Sequence, residues 1–345
     1  MIRMKSWTYE KAGVPHLKGD PTFNRKIAKL IHSTRIPGVL GNPTGFAALF
    51  DVTKTVKTKN PLLVSSTDGV GTKLEIARLQ GRHNTVGIDL VAMCVNDIIT
   101  CGARPLFFLD YFATGKFEPR ITEEVLKGIT AGCREAGCAL VGGETAIMPG
   151  FYEAKEGRRE KAPQYDLAGF AVGVVDRRRI VDGKKIQRGD VLLGLASSGF
   201  HSNGFSLLRK IFSKAELQGP LGKKLLVPTR IYVRPVLRLL ESIPLAGIVN
   251  ITGGGFIDNL PRVMPAGLGV KIKRGSWPQP KLFDLVKDSG NISNFEMART
   301  FNLGIGMVLI LKKAFIKKAQ AILTTMKLNS WVIGEIIQGN AVEIV

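Results

Sequence analysis

Four apolar runs in this 345-residue chain stop abruptly at a polar cluster that contains glycine. Residues 62–66 lead into Ser66-Thr67-Asp68-Gly69-Val70-Gly71-Thr72-Lys73, and residues 139–141 into Gly142-Gly143-Glu144-Thr145. Residues 191–196 lead into Ser197-Ser198-Gly199-Phe200-His201-Ser202-Asn203-Gly204, and residues 248–251 into Thr252-Gly253-Gly254-Gly255. Runs this short are strands, and the glycines let the chain turn at once into the next element. Helical periodicity follows most of them. Ile88, Val91, Val95, Ile98 and Ile99 recur at spacings of three and four over 87–102, and further helices are expected at 23–32, 121–136, 203–212, 231–241 and 313–326. Strands are expected at 105–112, 165–175, 304–311 and 331–336 as well. Alternation of this kind gives a mixed α/β fold. The basic turn Asp176-Arg177-Arg178-Arg179 divides it, so the expected domains are 1–175 and 176–345.

Glycines after a strand free backbone N–H groups to close on phosphate oxygens, and a helix N-terminus adds a positive dipole end. The run 66–73 has this form, with Lys73 as a point charge and Asp68 as a cation ligand. It is not a Walker A loop, which needs G-x-x-x-x-G-K-[ST]. The alternative is a tight turn with a surface lysine. On the next helix Asp89, Met93 and Asn96 share one face and Asp97 lies about 80° to the side. Their neighbours are almost all apolar, and a carboxylate in such a helix needs a partner or a metal. Glu144, read as lying on a glycine turn, adds a third carboxylate. Oxygen-only ligation by Asp68, Asp97 and Glu144 suits Mg²⁺ bridging nucleotide phosphates. His201 sits on a loop between strand and helix, where it can exchange protons or bind phosphate, and Ser202 or Asn203 reads as the N-cap of the helix that follows. Thr252 to Gly255 makes a second anion nest.

Lys plus Arg is 49 against 28 Asp plus Glu, a net charge of +21. That favours anionic partners. The basic runs, at 157–161, 177–179, 184–185, 223–224, 312–313 and 317–318, are scattered and lack interleaved aromatics. Solvated faces that attract anionic metabolites account for them better than a nucleic-acid surface does. Cys94, Cys101, Cys133 and Cys138 form no C-x-x-C pair and are too sparse for a disulfide scaffold. The apolar run 303–311 is only nine residues long, against about 20 for a membrane span. A cytoplasmic protein is expected.

Taken together these stretches resemble the phosphoribosylformylglycinamidine cyclo-ligase (AIR synthetase) family. The resemblance rests on 66–73, 87–97, Gly102-Ala103-Arg104-Pro105-Leu106-Phe107-Phe108-Leu109-Asp110-Tyr111, 142–150, 165–169, 197–204, 229–232, 252–256 and 299–302, in that order along essentially the whole chain. Superfamily relatives such as selenophosphate synthetase, thiamine-monophosphate kinase and a hydrogenase-maturation protein share the aspartate loop alone. The resemblance implies two mixed α/β domains, the N-terminal one forming a shared barrel with its copy in a homodimer. It implies ATP-dependent ring closure of formylglycinamidine ribonucleotide to aminoimidazole ribonucleotide, with release of ADP and phosphate, in purine biosynthesis.

The implied residue roles follow. Gly45, Phe46, Asp68, Gly69, Gly71, Thr72 and Lys73 bind ATP. Asp68, Asp97 and Glu144 hold Mg²⁺. Ser198, His201, Ser202, Asn203, Thr252, Gly253 and Gly254 face substrate or phosphate. His201, Lys73 and Asp97 are the catalytic candidates, with His201 first for proton transfer. The chain departs from the family pattern at Pro43, at Ile147 in place of an acid, at Asn250 near a usual His, and at Ala28 beside Lys29. Two rival readings are another ATP-using enzyme of the superfamily and a degenerate basic protein that binds RNA.

Overall fold

The computed structural model describes residues 6–15, 20–152 and 163–345. The basic run at 157–161 lies outside them. Helix α1, Pro21–His32, is capped by Asp20, whose carboxylate accepts from the Thr22 and Phe23 amides. A two-stranded ribbon follows, β1 Val39–Gly41 and β2 Leu49–Phe50. Then come β3 Pro61–Gly69, α2 Lys73–Gln80, α3 Val86–Thr100, β4 Arg104–Thr114, α4 Pro119–Ala136, β5 Ala139–Ile147 and β6 Tyr165–Asp176. Strands β3 to β6 form a four-stranded sheet in the order β3-β6-β4-β5, with β4 and β5 parallel and the other pairs antiparallel.

Helices α3 and α4 cover one face of this sheet. They approach closely because glycine faces glycine at their crossing. A Cβ on Gly87 would stand 2.3 Å from the Val125 carbonyl oxygen and 2.4 Å from the Ile129 nitrogen. Among the described residues the other sheet face is largely open, with Phe50 of the ribbon resting on Phe107 at one end: Leu63 is 68% exposed, Phe170 46% and Tyr111 36%.

The second half contains β7 Val191–Ala196, α5 Phe205–Ile211, α6 Lys214–Gln218, α7 Pro220–Leu225, α8 Val233–Leu240, β8 Gly247–Asn250, α9 Gly255–Asn259 and β9 Leu268–Ile272. It continues with α10 Lys281–Ser289, α11 Asn294–Thr300, β10 Ile305–Leu311, α12 Ile316–Thr325, β11 Ser330–Gln338 and β12 Val342–Ile344. The six strands are ordered β12-β9-β11-β7-β10-β8, with only β12 and β9 parallel. Strand β10 is the apolar run read from the sequence, and every residue of it is buried. Its alternation divides two cores: Met307, Leu309 and Leu311 join one, Val308 and Ile310 the other. The first of these is continuous with the core under α3, through Ile98, Val236 and Leu195. The halves therefore share apolar interior. Among the described residues no helix is long and apolar enough to cross a membrane.

Three local readings need correction. Residues 142–145 are not a turn: β5 continues through them to Ile147. Strand β3 likewise runs through Asp68 and Gly69, so the loop proper is Val70 to Thr72. The helix after His201 starts at Phe205 with Gly204 as its N-cap, and neither Ser202 nor Asn203 caps it.

Replacing Gly87 with alanine should drive α3 from α4. We expect Gly87→Ala to lower the unfolding free energy by about 2–3 kcal/mol, read as a lower denaturant midpoint at unchanged slope.

Candidate active site

The site is built around α3, a helix of the first half that also touches the second. Asp89 and Asn96 lie on one face, as their spacing requires, and both are buried. They do not point into solvent. The Asn96 amide donates to the Arg230 carbonyl at 2.8 Å, and its oxygen accepts from the Tyr232 amide at 2.9 Å. Asp89 Oδ1 accepts from the Thr229 amide at 2.7 Å, the Thr229 hydroxyl at 2.6 Å and Lys73 Nζ at 2.9 Å. Its Oδ2 is buried without a partner. This face of α3 clasps the 229–232 segment of the second half.

Lys73 is therefore placed differently from its expected role on phosphate. The side chain is fully buried. Besides Asp89, Nζ donates to the His201 carbonyl at 2.7 Å and the Val227 carbonyl at 2.9 Å. All three ammonium donors are engaged by protein acceptors, and Nζ lies 5.4 Å from the centre of the Phe205 ring. Burial pulls the Lys73 ammonium down and pushes the Asp89 carboxyl up, while their contact opposes both shifts.

His201 also departs from its expected place. It is 2% exposed rather than on an open loop, and its backbone is left-handed, φ 60°. Nε2 accepts from the Ser198 amide at 3.3 Å. Burial, with Lys73 and Arg230 nearby, pushes its pKa down to about 3. A ring held neutral in this way is a poor proton carrier near neutral pH. Its loop is held by others: Ser198 Oγ donates to the Pro228 carbonyl, and Asn302 braces Ser197, Gly199 and Gly304.

Asp97, turned to the side of α3, meets another set. Asn250 Nδ2 donates to its Oδ1 at 2.9 Å, Ser66 hydrogen-bonds it, and Arg262 is close enough to favour its charge. Asp68 lies near enough for Asp97 to raise its pKa, although burial is the larger cause for both carboxyls. Two half-buried carboxylates, one raising the pKa of the other, are hard oxygen donors of the kind that suit Mg²⁺.

Glu144 does not join them. In the sheet register Asp68, Gly169, Asp110 and Gly143 form one row. Glu144 is thus about 14 Å across the sheet from Asp68, at three strand spacings. Successive residues alternate faces, and Glu144 pairs with the exposed Tyr111 on the uncovered face. Among the described residues no group of three His, Cys, Asp or Glu can hold a metal.

The remaining motifs converge on Asp68 and Asp97. Ser202 Oγ donates to the Val70 carbonyl at 2.8 Å, and the Thr72 and Ser206 hydroxyls bond at 3.0 Å. The glycine loop of the first half is thereby fastened to the 197–206 segment of the second. Asn203 Oδ1 would lie 3.4 Å from a Cβ on Gly253, so the Thr252 to Gly255 turn adjoins it. Asn259 holds that turn through the carbonyls of Thr252, Gly253 and Gly255. Gly254 and Gly255 have φ +100° and +53°, and a Cβ on Gly255 would meet the Ala298 carbonyl oxygen at 2.0 Å. A cleft of about 410 Å³ opens beside Gly71 and Thr72, with Arg209 and Asp166 on its walls. Gly45 and Phe46 sit on the exposed turn between β1 and β2, and Phe46 is 96% exposed.

Sequence reasoning missed Ser66, Arg262 and Asn302 as supports. Ser66 carried a signal in its place in the aspartate loop and Asn302 in the 299–302 stretch, whereas Arg262 carried none.

The AIR synthase related protein N-terminal domain matches residues 47–175, and the corresponding C-terminal domain matches 187–345. A phosphoribosylformylglycinamidine cyclo-ligase of Acetivibrio thermocellus is 50% identical over 339 residues, covering 96% of this chain and 97% of its own. That of Thermoanaerobacter pseudethanolicus is 49% identical over 340 residues, with the same coverage. The chain belongs to this cyclo-ligase family. Its fold is shared more widely. Thiamine-monophosphate kinase from Stenotrophomonas maltophilia superposes with a TM-score of 0.69 at 17% identity, covering 94% of this chain and 96% of that one. Hydrogenase maturation protein HypE in complex with ATP gives 0.63 at 18% identity, covering 93% and 88%.

If Lys73 ties the halves together, removing it strands a buried carboxylate. We expect Lys73→Met to cost about 3–5 kcal/mol in nucleotide-free protein. Adding Asp89→Leu should restore part of that loss. A loss below about 1 kcal/mol, less than a typical buried hydrogen bond is worth, would refute the buried tie.

Proposed function

We propose that the chain uses ATP to close the ring of formylglycinamidine ribonucleotide, giving aminoimidazole ribonucleotide, ADP and phosphate. One observation carries the reading: Asp68 and Asp97 meet the Ser202–Asn203 loop and the Thr252 to Gly254 turn at the junction of the two halves, in a chain about half identical to cyclo-ligases. The fold neighbour in complex with ATP supports nucleotide use by this architecture.

The formyl amide oxygen is a poor leaving group. Transfer of the γ-phosphoryl to that oxygen makes it a good one. An amidine nitrogen then attacks the formyl carbon, and the oxygen departs with phosphate as the imidazole ring closes. Such a reaction needs position and charge neutralisation more than a protein nucleophile. The residues suit this division of work. Asp68 and Asp97 would hold Mg²⁺, which when bound neutralises phosphate charge. The amides of Gly71 and Thr72 would face the nucleotide phosphates, while that of Gly69 donates to the Asp68 carboxylate at 2.7 Å and fixes it; the exposed Phe46 ring beside Gly45 is available for stacking on the base. Ser198, Ser202 and Asn203 would orient the substrate, and Thr252, Gly253 and Gly254 would cradle its phosphate. Lys73 and His201 act on the reaction through the loop they hold. A homodimer through the uncovered sheet face accounts for exposed Leu63, Phe170 and Tyr111, and it would bring Glu144 into the covered space. The setting is the cytoplasm.

Purified protein with ATP, Mg²⁺ and formylglycinamidine ribonucleotide should release ADP and aminoimidazole ribonucleotide one for one. Asp68→Asn and Asp97→Asn should each lower kcat at least about 100-fold, with little change in melting temperature. No turnover by folded wild-type protein would refute the assignment. Phe170→Lys should convert a dimer to a monomer in sedimentation at micromolar concentration, because it places a charge in the apolar face. A monomeric wild-type protein, or a variant that stays dimeric, would refute that interface.

A further inference from the structure

A second cleft, of about 1540 Å³, lies between the halves at the opposite end of the four-stranded sheet. Asp176 on its wall pairs in register with Pro61, whereas Asp68 pairs with Gly169. Seven residues of extended strand separate the two ends, about 23 Å. The reaction described above does not use this cleft.

Its walls combine two chemistries. Ile36, Val56, Leu237, Leu240 and Ile243 provide an apolar side. Lys57, Lys59, Arg179 and Lys185 also line it, and among the described residues none of these four has an acceptor. The three carboxylates present are already compensated. Asp176 is held by Arg178 and the Thr58 hydroxyl, Asp182 by Lys184, and Glu241 by Arg238. Arg104, half-buried in the same cleft, donates to the Thr55 carbonyl at 2.8 Å. Burial lowers its pKa with no carboxylate opposing the shift. Cations gathered over an apolar wall, with every local anion spent, are arranged for a ligand with several negative charges and a flat apolar part.

We propose that this cleft binds a nucleoside polyphosphate, with its base on the apolar side and its phosphates on Arg179, Lys185, Lys57 and Lys59. No free carboxylate faces the phosphates, so binding there needs no divalent cation. This separates the cleft from the Asp68–Asp97 site. Residues 54–59 and 174–182 come from the first half and the domain junction, residues 237–246 from the second. A ligand spanning them biases how the halves sit together.

The test is calorimetric titration of the full chain with the β,γ-imido analogue of ATP in EDTA. We expect one site per chain, and strong weakening by salt. Arg179→Gln with Lys185→Gln, and separately Lys57→Gln with Lys59→Gln, should each weaken it at least about tenfold, since each pair removes charge-assisted phosphate contacts. Asp68→Asn should leave it unchanged. These side chains are unpaired, so both double variants should melt as wild type does. Absence of binding in EDTA, or binding indifferent to both double variants, would overturn the proposal. So would single-stranded RNA that displaces the analogue and binds more tightly, because the cleft would then belong to a nucleic acid.

Discussion

The contact between Lys73 and Asp89 is the point on which the two halves register. Two opposite charges are buried at 2.9 Å, with neither side chain reaching solvent. Such a pair is weak evidence of net stability, because desolvation offsets the attraction. It is strong evidence of geometry. An ammonium that needs three acceptors takes one from its own half and two carbonyls from the other. A carboxylate takes a lysine from its own half and two donors of Thr229 from the other. Shifting the halves by an ångström would leave several buried polar atoms unmatched, at about 1–3 kcal/mol each. The junction where Val70 meets Ser202 and Thr72 meets Ser206, which borders the candidate site, lies beside this knot and inherits its precision.

Helix α3 shows how one rod can serve three purposes. Its apolar positions cover the sheet and pack against α4. Two polar residues a helical repeat apart, Asp89 and Asn96, grip the backbone of the second half. Asp97, one residue later, is rotated far enough to leave that grip and face Asp68. A helix turns about 100° per residue, so the clasp and the carboxylate beside Asp68 can be adjacent in sequence without competing for the same space. The Asn250 amide supports the second of these. It holds Asp97 in place by a hydrogen bond, a task that needs no proton to move.

The larger features were legible in the sequence because each has a local cause. The strands at 191–196 and 305–311 are continuous apolar runs, buried on both faces, and their ends agree with the expectation to within a residue. Helix α3 follows from its periodicity. The motifs around Asp68, Asp97, Ser202 and Thr252 are visible in the sequence, and the fold brings them near one another. What escaped was non-local. Gly142 to Thr145 reads as a turn because glycine has little strand propensity, but pairing with β4 keeps it extended, and strand alternation then sends Glu144 to the far face. His201 reads as a loop histidine until Gly306 and Tyr232 are seen to enclose it. Lys73 reads as a phosphate ligand because its spacing from the glycines is right. Only the fold shows that Asp89, sixteen residues on, has claimed it. Helices α6 and α7 are five and six residues long, too short to carry a period.

The charge of the chain and the charge of its site act at different ranges. A net +21 attracts phosphorylated molecules over roughly a Debye length, about 8 Å at physiological salt. At contact distance, on the proposed reading, a triphosphate would meet Asp68 and Asp97; burial, and then the neighbouring Asp97, already raise Asp68. Lys73, the cation nearest in sequence, is consumed by the structure and cannot relieve this. On the function proposed above, a divalent ion arriving with the nucleotide would add to the compensation that Arg262 gives Asp97, while the long-range field raises the local concentration of the complex. On that reading, withdrawing the lysine into the fold would leave the site a need for a cation that the sequence motif does not reveal. The loop has the glycines of a phosphate cradle, but its fixed positive charge serves to hold the protein's two halves together.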